Sequence, residues 1–168
     1  MIVAIDVGYQ ESTALVAALV FEHWQSQTPV QEYRLKLNDI AEYEAGAFYK
    51  RELPCILAIL QSIQHEIDCI VIDGYVFLGE DQTAGLGHYL WEALGQKVPI
   101  IGVAKNFFKG TPKACEMLRG KSIKPLYVTA IGIEQSVALQ SIQSMFGQHR
   151  IPNLLKRVDQ MSREQNQA

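Results

Sequence analysis

The sequence predicts an α/β fold: a mixed sheet of three antiparallel strands followed by parallel strands, flanked by helices, in one domain over residues 1–168. Three observations predict it. Strand-like runs come in succession at the start of the chain, apolar runs then alternate with helical periodicities, and two of the apolar runs close on an aspartate. A length of 168 residues at 48% hydrophobic and 20% charged encloses one sizeable core and is short for two.

Residues 1–5 are apolar and largely β-branched, ending at Asp6 and the turn-compatible Gly8, which predicts a buried strand with an acid at its carboxyl end. Residues 13–21 form a second apolar run, and residues 32–37 alternate through Tyr33, Leu35 and Leu37, so hairpins join the first three strands. Pro54 marks the start of a helix, because proline tolerates the first helical turn, and Leu53, Ile56, Leu57, Leu60 and Ile63 form its buried stripe. Glu52 stands at that start, near the positive end of the helix dipole.

Residues 69–72 form another apolar strand, closing on Asp73 and Gly74. A helix at 85–94 carries Leu86, Leu90 and Leu94 on one face, and a buried strand follows at 98–103. After a polar stretch to Lys124 come a strand at 126–131, a helix at 134–146 and a shorter helix after Pro152. A ribonuclease H-like architecture fits this order, as do other mixed sheets.

No apolar run approaches the length of about 18 residues that spans a bilayer, and Asp6 directly after the first strand-like residues, with no basic leader or small-residue cleavage site, predicts no secretory signal. Cys55, Cys69 and Cys115 are odd in number and lack metal-ligand spacing, which predicts reduced packing residues in a cytoplasmic protein. A net charge of −3 argues against a bulk polycation that coats nucleic acid. Between Lys97 and Lys124, however, seven basic residues face one acid, Glu116, with Phe107 and Phe108 interleaved. That segment is either an ordinary solvated face or a surface that meets phosphates.

An aspartate closing an apolar strand is a costly choice unless a cation or hydrogen-bond donors compensate the buried charge. Asp6 and Asp73 both stand there, and in neighbouring parallel strands their carboxylates would emerge at one sheet edge, with Glu52 closing a third side. Converging oxygens suit Mg²⁺ or Mn²⁺. Either aspartate alone reads first as a turn cap, and only the pair together with Glu52 favours the metal. Lys105, directly after an apolar strand, can reach the same edge, whereas His88 among Leu86, Tyr89 and Leu90 reads as a half-buried helix residue. No phosphate-binding Gly-x-x-x-x-Gly-Lys, no Gly-x-Ser-x-Gly and no His-Glu-x-x-His is present, so nucleophilic serine chemistry has no support.

Ala-Ile-Asp-Val-Gly-Tyr at 4–9, Arg-Glu-Leu-Pro at 51–54, Val-Ile-Asp-Gly at 71–74, Gly-Leu-Gly-His at 85–88 and Ile-Gly-Val-Ala-Lys at 101–105 resemble, in order, the motifs of the endonuclease V family. Leu-Tyr-Val at 126–128 and Arg-Ile-Pro, with Asp159 seven residues beyond Pro152, extend the resemblance over nearly the whole chain. It implies a ribonuclease H-like fold and a Mg²⁺-dependent endonuclease that cuts DNA or RNA near a deaminated base, hypoxanthine or inosine. The family's metal-binding acids fall on Asp6, Glu52 and Asp73, and Asp159 falls where the family has a further His or Asp. Asp6, Glu52, Asp73 and Lys105 are thus the expected catalytic residues; Tyr9, Tyr43, Gly74, His88, Lys105 and Lys109 are the expected contacts to nucleic acid. The implied chemistry is metal-assisted hydrolysis at phosphorus without a covalent enzyme intermediate.

Departures fall on recognition. A family Gly-x-x-His-Pro-Arg loop is replaced after Asp73 by a segment carrying Glu80 and Asp81, and the family's Pro-Tyr-Ile-Pro turn becomes Glu-Tyr-Glu-Ala at 42–45, keeping Tyr43 without its prolines. The Gly-x-Arg turn expected after residues 126–128 is missing as well. The chain therefore resembles a divergent member. The competing reading is a nucleic-acid-binding or protein-interaction module that keeps the fold without efficient cleavage. An actin-like kinase reading of Ile-Asp-Val-Gly would need a second lobe for which the chain has no room, and self-association as a homodimer is left open.

Overall fold

The computed structural model describes residues 1–38, 40 and 49–164. Tyr43 and the 42–45 turn lie outside the described residues. Strands β1 (Ile2–Gln10), β2 (Thr13–Phe21) and β3 (Gln31–Leu37) form an antiparallel meander. Helix α1 (Tyr49–Leu60) leads to β4 (Cys69–Asp73), the β5 (Phe77–Leu78) and β6 (Thr83–Ala84) hairpin, α2 (Leu86–Ala93) and β7 (Ile100–Ala104). A 3₁₀ turn at Lys113–Cys115, β8 (Glu116–Met117), β9 (Leu126–Ile131), α3 (Gln135–Ser144) and α4 (Asn153–Arg163) complete the chain. The main sheet has seven strands in the order β3-β2-β1-β4-β7-β9-β8.

β4 adds parallel to β1 and β7 parallel to β4, so the expected change from meander to parallel strands is present. β9 then returns antiparallel to β7. Two apolar layers cover the sheet. Ala4, Val71, Ile101 and Val103 pack against Leu154, Val158 and Met161 of α4 and Ala138 and Ile142 of α3. Val3, Ile5, Ile70 and Ile72 pack against Cys55, Ile56 and Ile59 of α1 and Leu86 and Leu90 of α2. The three cysteines are free and buried. Among the described residues no helix is long and apolar enough to cross a membrane.

Three local expectations change. β1 runs past Asp6 to Gln10, because β2 pairs with it along its whole length, so Asp6 is mid-strand, beside the end of β4. Gly8 is then a strand residue rather than a turn. A Cβ there would lie 2.0 Å from the Ser162 carbonyl oxygen, so only glycine lets α4 approach β1 this closely. Pro54 lies inside α1, whose described part begins at Tyr49, which leaves Glu52 in the first turn and shifts the buried stripe to Cys55, Ile56 and Ile59.

Candidate metal centre

Side chains alternate across a strand with a period of two, and this decides which groups meet. Ala4 and Val71 face α4, so Asp6 and Asp73, two residues further on, face it too. The parallel register of Ile5 with Ile72 sets the two aspartates at the same level of the sheet. Val103 faces α4 as well, and Lys105 follows at the same period. From the helix side, α4 delivers Asp159. One ligand oxygen from each of Asp6, Asp73 and Asp159 lies within 4.8 Å of the others.

The trio sits over an apolar floor that includes Ala4, Val71, Val103, Leu126, Leu155 and Val158. That floor withholds water from the deeper oxygens. Burial first, then the charge of Asp73 and a hydrogen bond with Asp159, push Asp6 up to about 8, against a smaller lowering by the Val7 amide, which donates to Asp6 Oδ1 at 2.9 Å. Asp73 is raised as well, burial outweighing the neighbouring Lys105 ammonium. Lys105 Nζ lies 3.5 Å from Asp73 Oδ2 and 3.7 Å from Asp159 Oδ1, bridging the two.

Glu52 stands apart from this trio. It belongs to α1, which covers the opposite face, yet burial and then the charge of Asp73 push it up to about 7, so its carboxylate shares the field of the cluster. Beside it, the Arg51 guanidinium carbon lies 3.5 Å from the ring centroid of Tyr9, a cation–π contact. The Tyr9 hydroxyl is buried with no hydrogen-bond partner among the described residues, and burial followed by the charge of Glu52 raises its pKa.

The remaining expected contacts spread around this edge. Gly74 follows Asp73 with φ +127, a backbone conformation that favours glycine. His88 packs its ring against Phe77, Tyr89 and Trp91, with Nδ1 3.5 Å from Glu92 Oε1, and so belongs to the α2 layer rather than to the trio. Lys109 is exposed.

The basic segment divides. Arg119 is buried, donating to the carbonyls of Met145, His149 and Gly147, and is therefore a strut, not a phosphate contact. Two residues missed in the sequence support the trio from α4. The Ser162 hydroxyl donates to the Asp159 carbonyl at 2.8 Å and lies 3.3 Å from Asp6 Oδ2; Arg163 lies 3.1 Å from Asp159 Oδ1. Their spacing of three and four residues from Asp159 on one helix is the signal that could have found them.

The endonuclease V family model matches residues 1–160. Endonuclease V of Streptomyces avermitilis is 26% identical over 184 residues, covering 96% of this chain and 79% of that protein. Among solved structures, endonuclease V of Bacillus subtilis has a TM-score of 0.78 at 18% identity, over 96% of this chain and 78% of its own. Endonuclease V of Ciona intestinalis, solved with a 23mer DNA containing an inosine followed by a ribo-adenosine, has a TM-score of 0.77 at 19% identity, over 96% and 83%. These structural likenesses establish the fold as ribonuclease H-like. The family match runs from β1, with Asp6, into α4 and past Asp159, and this chain belongs to the endonuclease V family.

Proposed function

We propose that this chain is a divalent-metal-dependent endonuclease that hydrolyses a phosphodiester near a deaminated base, hypoxanthine or inosine, in DNA or RNA. The observation that carries the reading is the convergence of Asp6, Asp73 and Asp159 at the edge where β4 ends. Oxygen is the only donor in the trio, which suits a hard cation such as Mg²⁺ or Mn²⁺. Burial first, and then the charge of Asp73, raise both Asp6 and Glu52, and a cation held among these carboxylates would offset that cost, so the donor set fits such an ion.

Asp6, Asp73 and Asp159 would hold the metal, and Glu52 adds a fourth acid from the α1 side. When bound, the ion would polarise a phosphoryl oxygen and acidify a water. Lys105, already at the rim of the trio, pairs its ammonium with a phosphate oxygen as a strand settles there. Gly74 presents backbone without a side chain beside Asp73, which lets a phosphate approach. Glu52, pushed up to about 7, accepts or releases a proton at its carboxylate near neutral pH. The substrate reading draws on the family match and on the inosine-containing DNA bound by the Ciona relative.

End-labelled strands carrying one inosine, one uracil or no lesion, incubated with Mg²⁺, Mn²⁺ or EDTA, test the proposal. Cutting confined to the inosine strand and lost in EDTA is the expected result. Strands that bind but stay whole in both metals would overturn it in favour of a binding module.

A further inference from the structure

The turn that follows Lys105 projects two aromatic rings into water beside the acid trio. Phe107 is 58% exposed and Phe108 44%. Their inner edges are built into the fold. Phe107 lies 5.8 Å from the buried Tyr127 ring at 57°, Phe108 lies 6.1 Å from Tyr75 at 59°, and Tyr75 and Tyr127 stack at 6.5 Å and 29°. Four rings thus form one ledge, and Tyr75 joins it to Gly74 and Asp73.

The ledge is held in place. The Tyr75 hydroxyl donates to the Asn106 carbonyl at 2.6 Å, and the Thr111 amide donates to the Phe108 carbonyl at 3.0 Å. Arg150 donates to the carbonyls of Lys105 and Pro125 at 2.6 and 2.8 Å, tying the turn to the start of β9. Rings fixed in this way lose little freedom when something stacks on them.

Charge around the ledge is divided. Lys109 and Lys113 are exposed along the turn, and Lys124 reaches it with Nζ 3.3 Å from Asn106 Oδ1. The β5–β6 hairpin presses against the same turn: a Cβ on Gly110 would lie 2.9 Å from the Glu80 nitrogen, and one on Gly79 3.3 Å from the Lys109 carbonyl oxygen and 3.6 Å from Phe108 Cε1. Glu80 and Asp81, both exposed, crown that hairpin. The lysines attract phosphates and the hairpin acids repel them. A single strand can lay its bases on the rings and its backbone along the lysines, whereas a duplex brings a second backbone toward the acids.

We propose that Phe107 and Phe108 are a stacking platform for unpaired bases of a single-stranded nucleic acid, and that Glu80 and Asp81 disfavour a duplex there. Base–aromatic stacking of this kind tolerates any sequence. The inference rests on the nuclease reading for why a strand comes to this edge, but the platform itself binds without cutting.

Fluorescence anisotropy of the full chain in EDTA, with lesion-free oligothymidine, oligouridine and a duplex of about 12 base pairs, tests it. Phe107→Ala/Phe108→Ala is expected to weaken the single strands about tenfold and the duplex less than about twofold. Phe107→Trp/Phe108→Trp should retain the affinity, and an unchanged melting curve for both variants shows that the fold survives. Glu80→Gln/Asp81→Asn should tighten the duplex about threefold with the single strands unchanged. The oligothymidine and oligouridine arms tell DNA from RNA.

Several results overturn the platform: no binding of single strands by the unaltered chain, equal losses on single strand and duplex, no loss at all, or a change of oligomeric state in the alanine variant, which would assign the rings to a protein partner. Loss of single-strand affinity in a protein that cuts no inosine strand would sink the nuclease reading and leave the platform standing. Inosine cleavage with unchanged affinity in the alanine variant would do the reverse.

Discussion

On the α4 face of the sheet, Asp6 and Asp73 meet Asp159 closely enough to share a cation; on the α1 face, Tyr9, Arg51 and Glu52 cluster around the same strand without joining that contact. Strand alternation causes the division. Ala4 and Asp6 point to α4, while Ile5, Val7 and Tyr9 point to α1. Glu52 therefore acts on the trio by its field, through Asp73, whereas Asp159 acts by direct approach. A site written as four acids in a row of motifs is, in space, three acids that meet and a fourth, in the first turn of α1, that feels the charge of Asp73.

Removing acids from each face tests this division most severely. Asp6→Asn or Asp73→Asn is expected to lower the cleavage rate on the order of 10³-fold, since metal assistance contributes several kcal/mol. Glu52→Gln should cost about 10- to 100-fold and raise the Mg²⁺ concentration needed for half-maximal rate. Equal losses at all three positions in a metal titration would erase the asymmetry.

Gly8→Ala probes the α4 side by packing alone. The added methyl meets the Ser162 carbonyl, so α4 must move away from β1. Urea unfolding should show a loss of about 2 kcal/mol, and the displaced Asp159 should weaken metal binding. A variant as stable as the parent would mean that α4 yields freely.

Stability against pH reads both faces at once. Asp6 and Glu52 hold protons in the folded chain up to about pH 8 and 7, while the same groups ionise near 3.8 and 4.5 when unfolded. Between those limits the folded state binds more protons, so its stability falls as pH rises. In EDTA the melting temperature should fall as pH rises from 5 to 8, and Asp6→Asn should flatten that slope. A flat profile in the unaltered chain would show that the acids are not crowded.

Much of this arrangement was legible before folding. The apolar runs ending at Asp6 and Asp73, the meander and Lys105 after its strand all follow from patterns of period two and from the cost of burying a lone carboxylate. The 126–131 strand matched its observed span. Arg119 illustrates the opposite case: a basic residue in a basic run reads as a phosphate contact until the carbonyls of residues 145, 147 and 149 are seen around it. The β5–β6 hairpin is too short to leave a periodic signal, so only its acids could be read.

The sequence by itself determined which apolar runs would close on anions, because alternation and hydrophobicity act within a few residues and need no partner. Tertiary structure alone decided which anions meet. The register of β1 with β4, the closeness that Gly8 allows to α4, and the side of the sheet on which α1 packs are set by contacts between segments up to 156 residues apart, as between Asp6 and Ser162, and no local pattern encodes such distances.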